Sequence, residues 1–336
     1  MVSVRSDRLV EIIHAFPAVE LLVIGDVLLD TYLTCDTLGV ANEAPVPLLE
    51  IASQKHAAGG AGNVALNLAR LGVRTQLVGP LGSDAESEIV KRLLREAAVR
   101  FRPLTVQRPT PHKTRILSGQ HYHLRLDEED DAVLNASETA ALLGLVEAAV
   151  ESTAALLLSD YDKGTVTEPL ARKIEAVAHA KRIPILADLK PRNAGYWSSL
   201  KVITPNASEA RAWLHELTPA GPEPNDPAEL AIRLSRKLHC DVVLKMGGNG
   251  LLAATPEGES FRLSAWCQHP RNVSGAGDTV LSTLGAALAC GASLLEASVL
   301  ANLAASIAVS HEETYAVSGE ELQAAVKSQP GTRFQT

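Results

Sequence analysis

Little in the chain invites a structural metal, a membrane or a nucleic acid. Its four cysteines, Cys35, Cys240, Cys267 and Cys290, are scattered with no CxxC pair and no metal-ligand spacing. They read as buried or idle thiols in a reducing compartment. No apolar run reaches the ~20 residues needed to span a bilayer, and residues 1–8 lead into an amphipathic stretch without a signal-peptide core. A cytoplasmic location is expected, with no membrane partner. The net charge of −8 and the lack of any dense Lys/Arg block argue against a nucleic-acid surface. An anionic substrate would have to be held by a local basic cluster. Repeats and low-complexity tracts are also missing. What remains is a chain of 336 residues, 46% hydrophobic and 21% charged, long enough to bury a sizeable core.

Several motifs are absent too, and each absence removes a class. Without GxxxxGK[ST] there is no P-loop, without HExxH no zincin helix, and without GxSxG no nucleophile elbow. Gly60-Ala-Gly-Asn-Val-Ala65 and Gly248-Asn-Gly-Leu-Leu-Ala253 match a loose GxGxxA. A dinucleotide fingerprint must follow the first strand of a βαβ unit, and here the first strand ends in Gly25-Asp26.

The hydrophobic pattern predicts an α/β fold. Glu20-Leu-Leu-Val-Ile-Gly25 reads as a strand buried on both faces, with Asp26 and Asp30 just past its carboxyl end. Residues 38–54 contain Glu43-Ala-Pro-Val-Pro47, whose prolines exclude a helix or a central strand and leave an extended edge. Helical spacing follows over 64–71 and 84–98, with alternating strands in 99–126 and an Ala-rich helix over 136–150. Strands near 154–159, 183–187, 201–204 and 241–246 then alternate with helices near 166–180, 206–215 and 227–238. A β-pair at 250–264 and apolar helices at 277–290 and 293–310 complete the pattern. Such alternation means a mostly parallel sheet covered on both sides. Residues 218–227, rich in Pro, Gly and Asp, read as a surface loop inside a single domain.

Polar clusters gather at the strand ends, the edge where open α/β sheets bind ligands. They are Asp26 with Asp30; Ser159-Asp-Tyr-Asp-Lys-Gly164; Asp188-Leu-Lys-Pro-Arg192; and Asn206-Ala-Ser-Glu209. Taken alone, Asn206 with Glu209 reads as a helix-capping box, and its alternative is to hold waters around Mg²⁺. The most telling stretch is Asn272-Val-Ser-Gly-Ala-Gly-Asp278 ahead of an apolar helix. Backbone N–H groups of Gly275, Ala276 and Gly277 at a helix start form an anion site. Asp278 beside it suits a base that takes a proton from an attacking alcohol, and it equally suits an ordinary helix start.

Gly59-Gly-Ala-Gly-Asn63 and Asn272-Val-Ser-Gly-Ala-Gly-Asp278 resemble, in order and spacing, the two signatures of the ribokinase/PfkB family of sugar kinases. The resemblance covers about residues 18–325. Within that family, Glu43-Ala-Pro-Val-Pro47, Leu124-Arg-Leu-Asp127, Leu158-Ser-Asp-Tyr-Asp-Lys-Gly164 and Thr204-Pro-Asn-Ala-Ser-Glu209 are similar to the D-glycero-D-manno-heptose 7-phosphate kinases. The resemblance implies a ribokinase-like domain over 1–336, with a small β lid from about 31–56 and 112–127. It also implies a kinase without the nucleotidyltransferase half that often accompanies this enzyme. Asp278 would be the base on the anomeric hydroxyl, and Gly275, Ala276 and Gly277 the anion hole. Lys245, Gly247 and Gly250 would meet ATP. Asp26, Asp30, Gly59, Gly60 and Asn63 would bind the sugar. Lys190, with Arg125, Lys163 and Arg192, would hold its phosphate, and Asn206 and Glu209 would organise Mg²⁺ through water. The implied partners are ATP, Mg²⁺, a sugar phosphate, a monovalent cation and a second copy of the chain through the lid. Other readings left open are another PfkB-type sugar kinase and a catalytically weak sugar-phosphate-binding protein. Three stretches depart from the family's pattern. Asn272 stands where an acid usually serves the monovalent cation. Lys245-Met-Gly-Gly-Asn-Gly250 replaces a Thr-led run at the ATP phosphates, and residues 311–316 replace a small, glycine-containing run at the adenine.

Overall fold

The structure, a computed structural model, describes residues 2–119, 121–218, 224–328 and 333–334. The chain opens with β1 (Val2–Ser3), α1 (Ser6–Ala15), β2 (Glu20–Gly25), β3 (Val27–Val40), β4 (Pro47–Gly60) and α2 (Ala61–Leu71). It continues through β5 (Arg74–Leu81), α3 (Ala85–Glu96), β6 (Arg100–Thr105), β7 (His112–Ser118), β8 (His121–Glu128) and α4 (Ala136–Ala149). Next come β9 (Ala155–Ser159), α5 (Glu168–Lys181), β10 (Ile185–Asp188), α6 (Pro191–Ala194), β11 (Val202–Ile203), α7 (Ala207–Leu217) and α8 (Pro227–Leu238). The last elements are β12 (Asp241–Lys245), β13 (Leu251–Ala254), β14 (Ser260–Leu263), α9 (Ala276–Ala289), α10 (Leu294–Ala308), α11 (Gly319–Lys327) and β15 (Arg333–Phe334). Of the expected 218–227 loop, residues 219–223 lie outside the described residues.

A nine-stranded sheet in the order β14-β13-β12-β11-β10-β9-β2-β5-β6 forms the body, parallel from β6 to β12. Strand periodicity sorts its side chains into two cores. Leu21 and Val23 of β2 join Leu157 of β9 and the helices α2, α9 and α10. Leu22 and Ile24 join Leu156, Leu158 and the helices α4, α5, α7 and α8 on the opposite face. Successive side chains of a strand point to opposite faces, so a continuous apolar run is what a doubly covered sheet requires.

A second sheet, β4-β3-β7-β8, stands apart from the first. The proline-bearing strand β4 is on its edge, where a missing N–H breaks no ladder. Strand β3 begins buried and ends exposed, and every residue of β8 is exposed.

The parallel strands end on one edge, and backbone contacts stitch their ends together. Asp26 N–H donates to the Ser159 carbonyl and Asp160 N–H to the Asp188 carbonyl, while Asn206 bridges Lys245. All the polar clusters singled out in the sequence, apart from those of the second sheet, therefore meet there.

Candidate active site

Helix α9 supplies the centre. It is apolar and buried from Asp278 through Ala287, so its first turn can be fixed only from within the protein. Its N-cap, Gly275, has φ +77°, and a Cβ there would lie 2.6 Å from Asn63 Nδ2. Only glycine tolerates both conditions. Asp278, 4% exposed, follows in the first turn. Asn63 Nδ2 donates to its Oδ2 at 2.7 Å and the Tyr161 hydroxyl donates to its Oδ1 at 2.9 Å. Asn63 is held in turn by Asn67, whose amide donates to Asn63 Oδ1 at 3.2 Å and whose own Oδ1 accepts from Thr279 at 3.1 Å. Burial pushes the Asp278 carboxyl up to about 7. Asp188 adds to this, while the Asn63 and Tyr161 hydrogen bonds and the Lys245 charge oppose it. A carboxylate that titrates near neutrality can take and return a proton.

Lys245 Nζ meets Asp188 Oδ2 at 2.5 Å, and a Cβ on Gly277 would lie 3.2 Å from that ammonium. Lys245, Gly247 and Gly250 line a cleft of about 480 Å³, together with Ala276 and Gly277. Its walls include Leu251, Val280 and Val309, with Asn206 and Asn302 as polar points. A mostly apolar cleft with a few polar groups, closed by a helix N-terminus, suits a flat base carrying phosphates. None of residues 311–316 lines it. His311 stacks on Tyr315, Thr314 bonds Tyr32 Oη and Glu313 pairs with Lys55. Thr314 and Glu313 of that run thus meet the second sheet.

Asn206 and Glu209 do form a capping box. Glu209 N–H donates to Asn206 Oδ1, and Asn206 N–H donates to Glu209 Oε2, both at 2.9 Å. Glu209 Oε1 also accepts from Lys190 Nζ at 2.7 Å. Burial alone would raise the Glu209 carboxyl, yet the Asn206 N–H, Lys190 and Lys245 outweigh it and hold it low. The charged carboxylate can accept from waters around a phosphate-bound Mg²⁺. No cluster of three or more metal-ligating side chains exists among the described residues, so such an ion would rely on phosphates and water.

The other residues expected at the substrate have partners of their own within the protein. Asp26 is 1% exposed and spends its carboxylate on the backbone N–H groups of Tyr161, Lys163 and Thr165. It shapes the 161–165 loop, with both of its oxygens engaged by that backbone. Gly60, at φ +58°, allows the turn against the Asp26 carbonyl. Asp30 packs over Gly59, where a Cβ would lie 2.5 Å from Asp30 Oδ2, and it pairs with Arg115. Of the basic residues expected at a phosphate, Arg125 is bidentate to Asp127, Lys163 pairs with Glu129 and Asp131, and Arg192 pairs with Asp162. None of these three is brought to Asp278. Lys190 pairs with Glu209 and lies 5.8 Å over the Tyr161 ring. Tyr161, Asp188 and Arg115 are the residues that motif reading passed over. The first two stand inside the polar clusters at 159–164 and 188–192, beside the longer cations Lys163, Lys190 and Arg192. Arg115 looked like one more exposed residue of an alternating strand.

A buried carboxylate beside a helix N-terminus, at the strand ends of a doubly wound sheet and next to a nucleotide-sized cleft, is an arrangement suited to phosphoryl transfer. Comparison makes the class specific. The pfkB family carbohydrate kinase model matches residues 19–320, and the chain belongs to that family. It is 39% identical over 316 residues to bifunctional protein HldE of Methylobacillus flagellatus, covering 92% of this chain and 63% of that protein. Against bifunctional protein HldE of Haemophilus influenzae the identity is 35%, covering 95% of this chain and 66% of the relative. The chain thus spans somewhat under two thirds of these relatives' length. In structure it is similar to phosphofructokinase-2 of Escherichia coli, with a TM-score of 0.77, 22% identity and coverage of 92% and 98% of the two chains. It is also similar to Arabidopsis thaliana ribokinase complexed with ribose and ATP, with a TM-score of 0.68, 18% identity and coverage of 92% and 98%. The fold is ribokinase-like and the protein is a carbohydrate kinase. No helix among the described residues is long and apolar enough to cross a membrane.

Proposed function

We propose that the chain transfers the γ-phosphoryl group of ATP to the anomeric hydroxyl of D-glycero-D-manno-heptose 7-phosphate, giving the 1,7-bisphosphate used for lipopolysaccharide heptose precursors. The observation that carries the chemistry is Asp278, held at both oxygens by Asn63 and Tyr161 at the start of α9. The substrate is supported by the HldE-like sequence over nearly the whole chain. Arg115 adds to that support. Its guanidinium is half-buried against Asp30, beside Gly59, and lies 5.2 Å over the Tyr32 ring. A guanidinium so placed can take a phosphate at the far end of a sugar.

The cleft would seat ATP, with Lys245, Gly247 and Gly250 along it and the α9 N-terminus at its phosphates. Asn206 and Glu209 would hold waters around Mg²⁺, which supplies charge neutralisation on the phosphates when bound. Asp278 accepts the proton of the attacking hydroxyl. The second sheet would act as a lid that excludes water and as the face on which a second copy docks.

The test is ADP release with Mg-ATP against heptose 7-phosphate, fructose, fructose 6-phosphate and ribose. Turnover confined to heptose 7-phosphate is the expected result. Turnover with another sugar overturns the substrate and keeps the kinase. Melting-temperature protection by heptose 7-phosphate without turnover on any sugar would make the chain a binding protein.

A further inference from the structure

Lys245 is an odd residue to find where it is. Its ammonium lies against the first turn of α9, the positive end of that helix, where a cation is normally disfavoured. Lys245 and Asp188 have side chains only 18% exposed, and burying such a pair brings little net stability over an apolar isostere. Lys245 also lines the cleft together with Ala276 and Gly277. Two positive elements, an ammonium and a helix N-terminus, therefore converge on one small volume. Asp188 sits with them, its Oδ2 3.5 Å from where a Gly277 Cβ would stand. Lys190 is not equivalent. Its Nζ is spent on Glu209, its side chain is 37% exposed, and it is absent from the cleft wall.

We propose that Lys245 is a catalytic cation that grips the phosphoryl group in transfer, with Asp188 as the counter-ion that holds it in place until phosphate oxygens arrive. This rests on the kinase reading. In the step concerned, the sugar hydroxyl oxygen bonds to the γ-phosphorus and its proton passes to Asp278. The bond from phosphorus to the bridging oxygen breaks, and its electron pair leaves with ADP. Charge gathers on the oxygens facing Lys245 and the α9 N–H groups, and a fixed ammonium in a part-buried site stabilises that charge without reorganising. The residue meets the γ-phosphate more than the rest of the nucleotide, so it should separate ATP from ADP.

The experiment measures ATP and ADP binding by calorimetry, with Mg²⁺ and without sugar, and then turnover, for the full chain and for Lys245→Met and Lys245→Arg. Lys245→Met should weaken ATP by about fivefold or more and ADP by less than about twofold. It should lower kcat by on the order of 10²-fold with the sugar KM little changed. Lys245→Arg should restore most of the ATP preference. If Lys245→Met fails to fold, Lys245→Gln takes its place in the same measurements. Equal weakening of ATP and ADP, tighter ATP binding in the variant, or unchanged kcat each overturn the proposal. Tighter binding would mark the ammonium as an obstruction. If the parent chain binds ATP in a Lys245-dependent way but turns over no sugar, the kinase reading falls and takes the catalytic role of Lys245 with it, leaving the residue as an ATP ligand only. If it binds no nucleotide, both fall.

Discussion

The two sheets solve the same problem differently. Every interior strand of the nine-stranded sheet finds its partners within the chain. Leu21 and Val23 go to one core, Leu22 and Ile24 to the other, and both faces close. The four-stranded sheet does not close. Its strand β8 alternates Tyr122, Leu124 and Leu126 with His123, Arg125 and Asp127, a pattern that predicts one buried face, yet all eight residues of β8 are exposed. Leu38, Val40, Leu48 and Ile51 on β3 and β4 are exposed as well, at 47–68%. Exposed apolar side chains so gathered on one small sheet are of the kind that interaction surfaces use. The body of the molecule thus closes both of its faces within one copy, and the smaller sheet leaves apolar side chains exposed.

The sharpest way to test the body's share is to neutralise its centre. Asp278→Asn keeps an oxygen to accept from Asn63 and loses the base, so kcat should fall by about 10²–10⁴-fold while sugar binding stays nearly intact. A loss below about tenfold would remove Asp278 from that role. Stability should move the other way. The folded carboxyl is raised from 3.8 to about 7, so its neutral form favours the fold below about 4 and that contribution is lost as pH rises through about 7. The Asn variant should therefore melt no lower than the parent at pH 8, and any advantage should shrink towards pH 5.

The comparison breaks next at the open sheet. If its apolar face is covered by a second copy, Ile51→Asp with Leu124→Asp should halve the mass seen by light scattering. Each side chain buried there is worth up to ~1.5–3 kcal/mol, and a buried unpaired carboxylate costs more. The body should keep its fold, seen as unchanged far-ultraviolet dichroism. A parent chain that is already monomeric at micromolar concentration would sink the dimer and leave the patch to another partner.

What the sequence made legible follows the same division. The body could be read because its signals are local and one-dimensional: apolar runs for strands, glycine with Asp278 for the helix start, and polar clusters at strand ends. The expected helices at 64–71 and 84–98 differ from α2 and α3 by a few residues at their ends. Which members of each cluster meet was not legible, because that depends on how neighbouring strand ends turn. Asp26 reads as a ligand from its position after β2, yet three backbone N–H groups of a loop more than 130 residues away take its oxygens. The basic residues Arg125, Lys163 and Arg192 read as free cations. Each is neutralised by a carboxylate, and two of them, Lys163 and Arg192, by one from outside their own clusters.

The smallest effect concerns a residue that only the fold reveals. Tyr161 donates to Asp278 Oδ1, and a hydrogen bond to the charged form lowers a carboxyl's pKa. Around the same carboxylate stand Asp188 from β10 and Lys245 from β12, with opposite effects, and neither is disturbed by removing a hydroxyl. Tyr161→Phe should leave the ring under Lys190 and delete only the donor. Asp278 would then titrate above about 7, and the rising limb of kcat against pH should move to higher pH by up to about one unit. At pH 7 the variant would be a few-fold slower, and near pH 9 it would recover, because the base is deprotonated again. A limb that stays put would show that Tyr161 packs against the site without setting its chemistry. A uniform loss at every pH would instead mean that the hydroxyl touches the sugar itself, placing the substrate on the Tyr161 side of Asp278.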